Sequence, residues 1–153
     1  MEEIDIKYKR HVFVCLNERE EGECCKGKEA EEILGTQGEF QALLRGLGEL
    51  GPKIVVVTDG RDGSWTFDGE VVRFCGIFPE KRFVERTGAG DAYSTGFVAG
   101  LISGVGVAEA MRWGSANAAS VVEHIGAREG LLTREALEQR LVECPECQVE
   151  ERA

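Results

Sequence analysis

Long apolar runs are missing from this sequence. No stretch approaches the roughly 20 consecutive apolar residues a membrane-spanning helix requires, and Met1-Glu2-Glu3 does not open a secretion signal. A cytoplasmic location is the default expectation. Positive charge is also in short supply: 18 Lys and Arg stand against 28 Asp and Glu, a net charge of −10. That balance provides no basic footprint for nucleic acid and opposes docking on anionic lipid. It leaves room for a local anion site made of backbone amides. Histidine occurs only at His11 and His124, neither with an evident partner, so both are expected at surface or edge positions. Internal repeats and low-complexity linkers are absent. What is present, 42% apolar and 30% charged residues in a chain of 153, suits one globular domain with one core.

Cysteine is plentiful. Cys15 and Cys75 fall in apolar strand-like runs and are expected as buried thiols. Cys144-Pro145-Glu146-Cys147 is a C-x-x-C, and Cys24-Cys25 is a second pair. Four such thiolates would satisfy zinc, but vicinal cysteines chelate poorly, and a metal or disulfide role is the minority reading.

The periodicities alternate between strand and helix. Residues 12–16 read as a short buried strand, and 28–34 as a charged helical stretch. Phe40, Leu43, Leu44 and Leu47 repeat at helical spacing, and Gly51-Pro52 ends that helix. The β-branched run 54–57 suits a strand covered on both faces, giving a β-α-β unit. Residues 64–67 and 70–74 flank Asp68-Gly69, a hairpin signal. Residues 82–84 read as a further strand-like piece, and helices are expected over 91–103 and 107–124. Thr133 should cap a last helix carrying Ala136, Leu137 and Leu141, and 143–153 read as a polar tail. Trp65 and Trp113 are expected to pack. Gly96 and Gly100, among Tyr93, Ser94 and Thr95, imply close helix packing rather than membrane dimerisation.

The most informative segment is Thr87-Gly88-Ala89-Gly90-Asp91, followed by a small-residue helix. Glycines let the backbone bend sharply there, and the helix aims unpaired N–H groups back at the bend. A carboxylate beside such an anion hole is placed to accept a proton from a hydroxyl attacking the bound anion. The bland alternative is that Asp91 only favours the helix dipole.

The run 87–92, with Gly96-Phe97 and Gly100-Leu101 after it, resembles the C-terminal signature of the ribokinase-like, or PfkB, carbohydrate kinases. The resemblance implies an anion hole at Gly88, Ala89 and Gly90, with Asp91 as general base. Other segments follow in the family's order. A strand ending in Asn17-Glu18-Arg19-Glu20 looks like the motif tied to magnesium and phosphate, mapping to Asn17 and Glu20. Thr58, Gly60 and Gly63 look like the turn lining the nucleotide. Asn117, on a later helix, resembles the residue near adenine, and Gly126 the loop closing the nucleotide and monovalent-cation region. Each has a structural alternative: Asn17 and Glu20 as turn and helix-start residues, Thr58 to Gly63 as a plain turn, Asn117 as a packing amide.

What the resemblance implies is an α/β, ribokinase-like fold, corresponding to the family's C-terminal half. It is expected as one domain over 1–153, a partial, mostly parallel sheet with flanking helices. The implied activity is ATP-dependent phosphoryl transfer, with Mg2+ and a monovalent cation (K+), to a hydroxyl of a sugar, nucleoside or similar small alcohol. Two departures stand out. Glu85-Arg86-Thr87 replaces the family's Asp-Thr-Thr, which puts the cation site in question, and 21–27 intervenes after Glu20 where a helix normally follows. Family members are also much longer, and their first strands, sugar contacts and lid are not visible here. The expectation is a kinase incomplete without that half, forming a homodimer or using a partner chain. The alternative is a non-catalytic nucleotide-binding module or degenerate half-kinase.

Overall fold

The structure, a computed structural model, describes residues 11–15 and 40–152. Strand β1 (His11–Cys15) precedes helix α1 (Phe40–Glu49), β2 (Ile54–Thr58), a 3-10 turn (Gly60–Asp62), β3 (Ser64–Phe67) and β4 (Val72–Cys75). Then come α2 (Ala89–Ile102), α3 (Val107–Val121), α4 (Arg134–Glu143) and β5 (Val149–Arg152). The strands form one sheet in the order β1-β2-β3-β4-β5. β1 and β2 run parallel, with Cys15 opposite Thr58. The other pairings are antiparallel, which corrects the expected proportion: among the described residues the sheet is not mostly parallel. The β3–β4 hairpin and the returning C-terminal strand supply the antiparallel part.

Strand alternation divides the core. Ile54, Val56 and Cys75 pack with Tyr93 and Phe97 of α2 and Ala110 and Met111 of α3. Val55 and Val57 face the other way, onto Leu44 and Leu47 of α1 with Phe67 and Val72. β2 is thus buried on both faces, as its β-branched run implies. A third cluster joins Phe78, Trp113, Ala116 and Ala119 to Leu137 and Leu141 of α4.

Helices α2 and α3 meet backbone to backbone. A Cβ added at Gly96 would lie 2.8 Å from the Trp113 carbonyl oxygen, and one at Gly114 would lie 2.8 Å from that of Tyr93. The G-x-x-x-G spacing therefore serves close packing inside the fold. Among the described residues no helix is long and apolar enough to cross a membrane.

The hairpin forms at Asp68-Gly69, where Asp68 Oδ1 accepts the amides of Glu70 and Val71 and Gly69 takes φ 95°. Thr133 caps α4, its hydroxyl accepting from the Ala136 amide at 3.3 Å. Three expectations change. Residues 82–84 form no strand, because the amides of Val84 and Glu85 turn to the Val122 carbonyl at the end of α3 (2.8 and 3.4 Å). The stretch 143–153 is not merely a tail, since β5 pairs with β4. Cys144 and Cys147 are joined as a disulfide. His124 has a partner too, its Nδ1 lying 2.9 Å from the Ser120 carbonyl oxygen. Cys75 is buried, as expected. The Cys15 side chain, Cys24, Cys25 and the stretch 28–34 lie outside the described residues.

Candidate active site

The site is built where α2 begins. Gly88 precedes the helix with φ 81°, a left-handed conformation open to glycine. A Cβ there would also sit 2.6 Å from Ala127 Cα, so residue 88 is squeezed against the loop after α3. The first intrahelical bond runs from the Ala92 amide to the Gly88 carbonyl at 2.8 Å. Ala89 donates instead to the Arg86 carbonyl at 3.2 Å. Among the described residues, the amides of Gly88, Gly90 and Asp91 have no acceptor within the chain. They lie at the positive end of the helix. Gly90 and Asp91 are exposed. The hydroxyls of Ser94 and Thr95 bond back to the carbonyls of Gly90 (3.0 Å) and Asp91 (2.7 Å), bracing this turn without using the Asp91 carboxylate.

Three ties hold the turn in place. Glu85 accepts the Gly126 amide at 2.5 Å, fastening the approach segment to the same loop that packs on Gly88. One turn into α2, the Tyr93 hydroxyl donates to Ser64 Oγ at 2.8 Å. Tyr93 is buried, which pushes its phenol far above the usual range against the opposing bond from Ser64, so it stays a neutral donor. Ser64 pairs in register with Thr58, whose own neighbour is the end of β1. The glycine turn is thereby brought to the strand-end rim that carries Thr58. Lastly, the Asn117 Nδ2 donates to the Ala92 carbonyl at 2.8 Å, and its Oδ1 accepts the Leu132 amide at 3.0 Å.

The Thr58 turn is compact. The Asp59 amide donates to the Gly63 carbonyl at 2.8 Å, and that of Asp62 to the Asp59 carbonyl at 2.8 Å. Gly60 and Gly63 take φ 51° and 99°, and a Cβ at Gly63 would lie 2.4 Å from the Cys75 carbonyl oxygen. Burial, aided by the nearby Asp62, raises the Asp59 carboxyl above its ordinary value.

Behind the rim, Glu123 anchors the approach segment. It accepts the Lys81 amide at 2.7 Å and pairs with Arg140 at 2.6 Å, while its carbonyl takes Arg82 Nε at 3.1 Å. Burial alone would raise this carboxyl, but the bonds from Arg140 and Lys81 carry it below its ordinary value.

The fold thus gathers Thr58, Gly60, Gly63, Gly88, Ala89, Gly90, Asp91 and Gly126 around one end of the sheet. Asn117 lies beneath that rim with both ends of its amide satisfied, in the manner of a packing amide. Asn17 and Glu20 fall outside the described residues. Tyr93, Ser64 and Glu123 gained no individual role from the sequence. Tyr93 lies within the glycine motif, and Glu123 opens the segment 123–127 that resembles the family's loop closing the nucleotide region.

The family model described as pfkB family carbohydrate kinase matches residues 11–134. This chain belongs to that family. A 5-dehydro-2-deoxygluconokinase of Clostridium perfringens is 35% identical over 129 residues, covering 74% of this chain and 37% of the relative. The crystal structure of Thermotoga maritima ribokinase superposes with a TM-score of 0.72 at 25% identity, over 90% of this chain and 43% of that one. Arabidopsis thaliana ribokinase, solved with ribose and ATP, gives 0.66 at 28% identity, over 74% and 38%. The ribokinase-like α/β fold is thus the fold of this chain, and the relatives it matches include sugar kinases and a nucleoside kinase. The chain spans less than half the length of each of these three.

Proposed function

We propose that this chain carries the phosphate-binding and proton-accepting part of an ATP-dependent phosphotransferase whose acceptor is a hydroxyl of a sugar, nucleoside or similar small alcohol. The observation that carries the reading is the turn at the start of α2. Among the described residues the amides of Gly88, Gly90 and Asp91 have no acceptor, Asp91 stands exposed at the same turn, and the helix it opens is tied to β3 through Tyr93 and Ser64. In this reading the nucleotide lies along Thr58, Gly60 and Gly63, toward Gly126, with its γ-phosphate at the turn. Asn117 would act on it only indirectly, by holding α2 in position.

The acceptor oxygen attacks the γ-phosphorus in line as the bond to the β-phosphate oxygen breaks and ADP leaves. Asp91 takes the hydroxyl proton. The amides and the helix end stabilise the charge spread over the transferring oxygens. The magnesium ion that accompanies ATP would neutralise phosphate charge near Asn17 and Glu20. Where the monovalent cation is concerned, Glu85 already spends one carboxylate oxygen on the Gly126 amide. The reading assigns no acceptor-binding residue to this chain. A homodimer, or a partner chain supplying those contacts, forms part of the proposal, and a strictly monomeric species from micromolar to near-millimolar concentration in sedimentation would refute that part.

A second reading, nucleotide binding without transfer, is favoured by one detail: the Ala89 amide, expected in the anion hole, is occupied by the Arg86 carbonyl. Calorimetric titration with Mg-ATP, with and without potassium, tests the nucleotide site, and absence of binding removes both readings. Asp91→Asn separates them. Under the first it abolishes phosphorylation of the acceptor while leaving ATP affinity nearly intact. Under the second there is no transfer to lose.

A further inference from the structure

We infer that Cys144 and Cys147 form a reversible dithiol–disulfide couple that governs how firmly strand β5 is held on the sheet. The two residues, joined in the structure, occupy the turn between α4 and β5. Their C-x-x-C spacing is that of pairs that exchange readily with external thiols. Cys144 is buried against the cluster of Trp113, Leu137 and Leu141, whereas Cys147 is half-buried. Cys147 is therefore the sulfur that a small thiol or disulfide reaches first. Arg112 braces the same turn, its Nε donating to the Cys147 carbonyl at 2.8 Å and its Nη2 to that of Leu141 at 3.2 Å. Cys75 has no such exposure: it is buried in the core and serves as a packing group.

Beyond its ladder and the Arg152 guanidinium over the Phe74 ring at 5.6 Å, β5 makes few contacts. It has four residues at the sheet edge, of which Glu150, Glu151 and Arg152 are exposed and only Val149 reaches the core. Its ladder to β4 runs from Cys75 opposite Val149 to Val72 opposite Arg152. The Arg73–Glu151 ion pair, at 3.6 Å with the Glu151 side chain 70% exposed, adds little. The bridge fixes the point where the chain enters this strand. Opening it frees the strand to leave β4, whose edge is then exposed.

The exchange partner is a low-molecular-weight disulfide, RSSR. The Cys147 thiolate attacks one sulfur of RSSR and expels RS−, giving a mixed disulfide. The Cys144 thiolate then attacks the Cys147 sulfur and expels the second RS−. The protein pair is oxidised by two electrons, RSSR is reduced to two RSH, and the two cysteine protons end on those thiols. Excess RSH reverses both steps.

The test uses the full chain equilibrated in buffers of reduced and oxidised glutathione, with free thiols alkylated and mapped by peptide mass spectrometry. Amide hydrogen exchange is followed in parallel. The expected result is a 144–147 disulfide that forms and disappears as the buffer changes. Exchange in 149–152 should be faster by on the order of tenfold in the reduced form, with β2 and β3 unchanged. Cys147→Ser should show the fast exchange in every buffer, and because Cys147 is half-buried this variant avoids cutting into the core as Cys144→Ser would. The inference is overturned if the pair stays reduced throughout, or if β5 exchanges equally in both forms. It is also overturned if the reduced chain retains added Zn2+ that blocks oxidation, since Glu146 lies with both sulfurs in a possible three-donor set.

Discussion

Helix α2 meets two opposite surroundings. Along its inner face, Gly96 lies so near α3 that a single added methyl would reach 2.8 Å from the Trp113 carbonyl. At its first turn, an added Cβ at Gly90 would meet nothing within 4 Å, and Asp91 stands exposed. One helix is thus fixed tightly along its length and left open at its tip. The open end can offer amides and a carboxylate to a ligand because the packed face leaves the helix no freedom to shift. Precision at the tip is produced behind it.

The contrast is broken most severely at the tip itself. Under the proposed transfer reading, Asp91→Asn should abolish phosphorylation, a loss of at least about 10²–10⁴-fold, while changing unfolding free energy by less than about 0.5 kcal/mol. Steady-state kinetics with the proposed acceptors, together with urea unfolding, check the two halves of that statement. A matched pair of glycine changes comes next. Gly96→Ala should cost about 3 kcal/mol in chemical unfolding, as an overpacked backbone contact. Gly90→Ala should stay within about 0.5 kcal/mol. Equal costs at the two positions would erase the distinction.

Much of this contrast was legible beforehand, and the parts that were not have physical causes. The helices, the Asp68-Gly69 hairpin and the glycine motif are local patterns, and the structure keeps them. β5 was hidden because an edge strand exposed at Glu150, Glu151 and Arg152 shows no apolar alternation. Residues 82–84 resemble a strand in composition, yet their amides are satisfied by a helix end 38 residues further on, through Val84 to Val122. Asn117, among small residues, reads as either a nucleotide contact or a helix-packing amide, and sequence alone does not choose. Its partners, Ala92 and Leu132, are 25 and 15 residues away, and no spacing rule reaches them. The Cys144–Cys147 pairing was the minority reading because a C-x-x-C on a polar stretch is more often incidental than bonded or metal-binding.

Two smaller effects sharpen the account of what holds the rim from behind. Glu123→Gln should cost about 2 kcal/mol near neutral pH, by weakening charged bonds to Arg140 and Lys81. Because the folded carboxyl sits below its ordinary 4.5, this contribution is complete above that pH and is lost as pH falls through the lower folded value. The stability gap between wild type and variant should therefore be flat from neutral pH down to about 4.5 and close below it, as measured by urea unfolding across that range. Thr133→Ala, which removes only the α4 cap, should cost about 1 kcal/mol in the same assay.

The hydrogen bond between Tyr93 and Ser64 makes the protein its own optical gauge. Tyr93 is one of two tyrosines in the chain, and burial keeps its phenol protonated well past the alkaline range in which a free tyrosine ionises. Ionisation of this ring is then opposed for as long as the start of α2 stays on the sheet. Alkaline titration thereby converts an invisible joint beneath the rim into a spectral signal of its integrity.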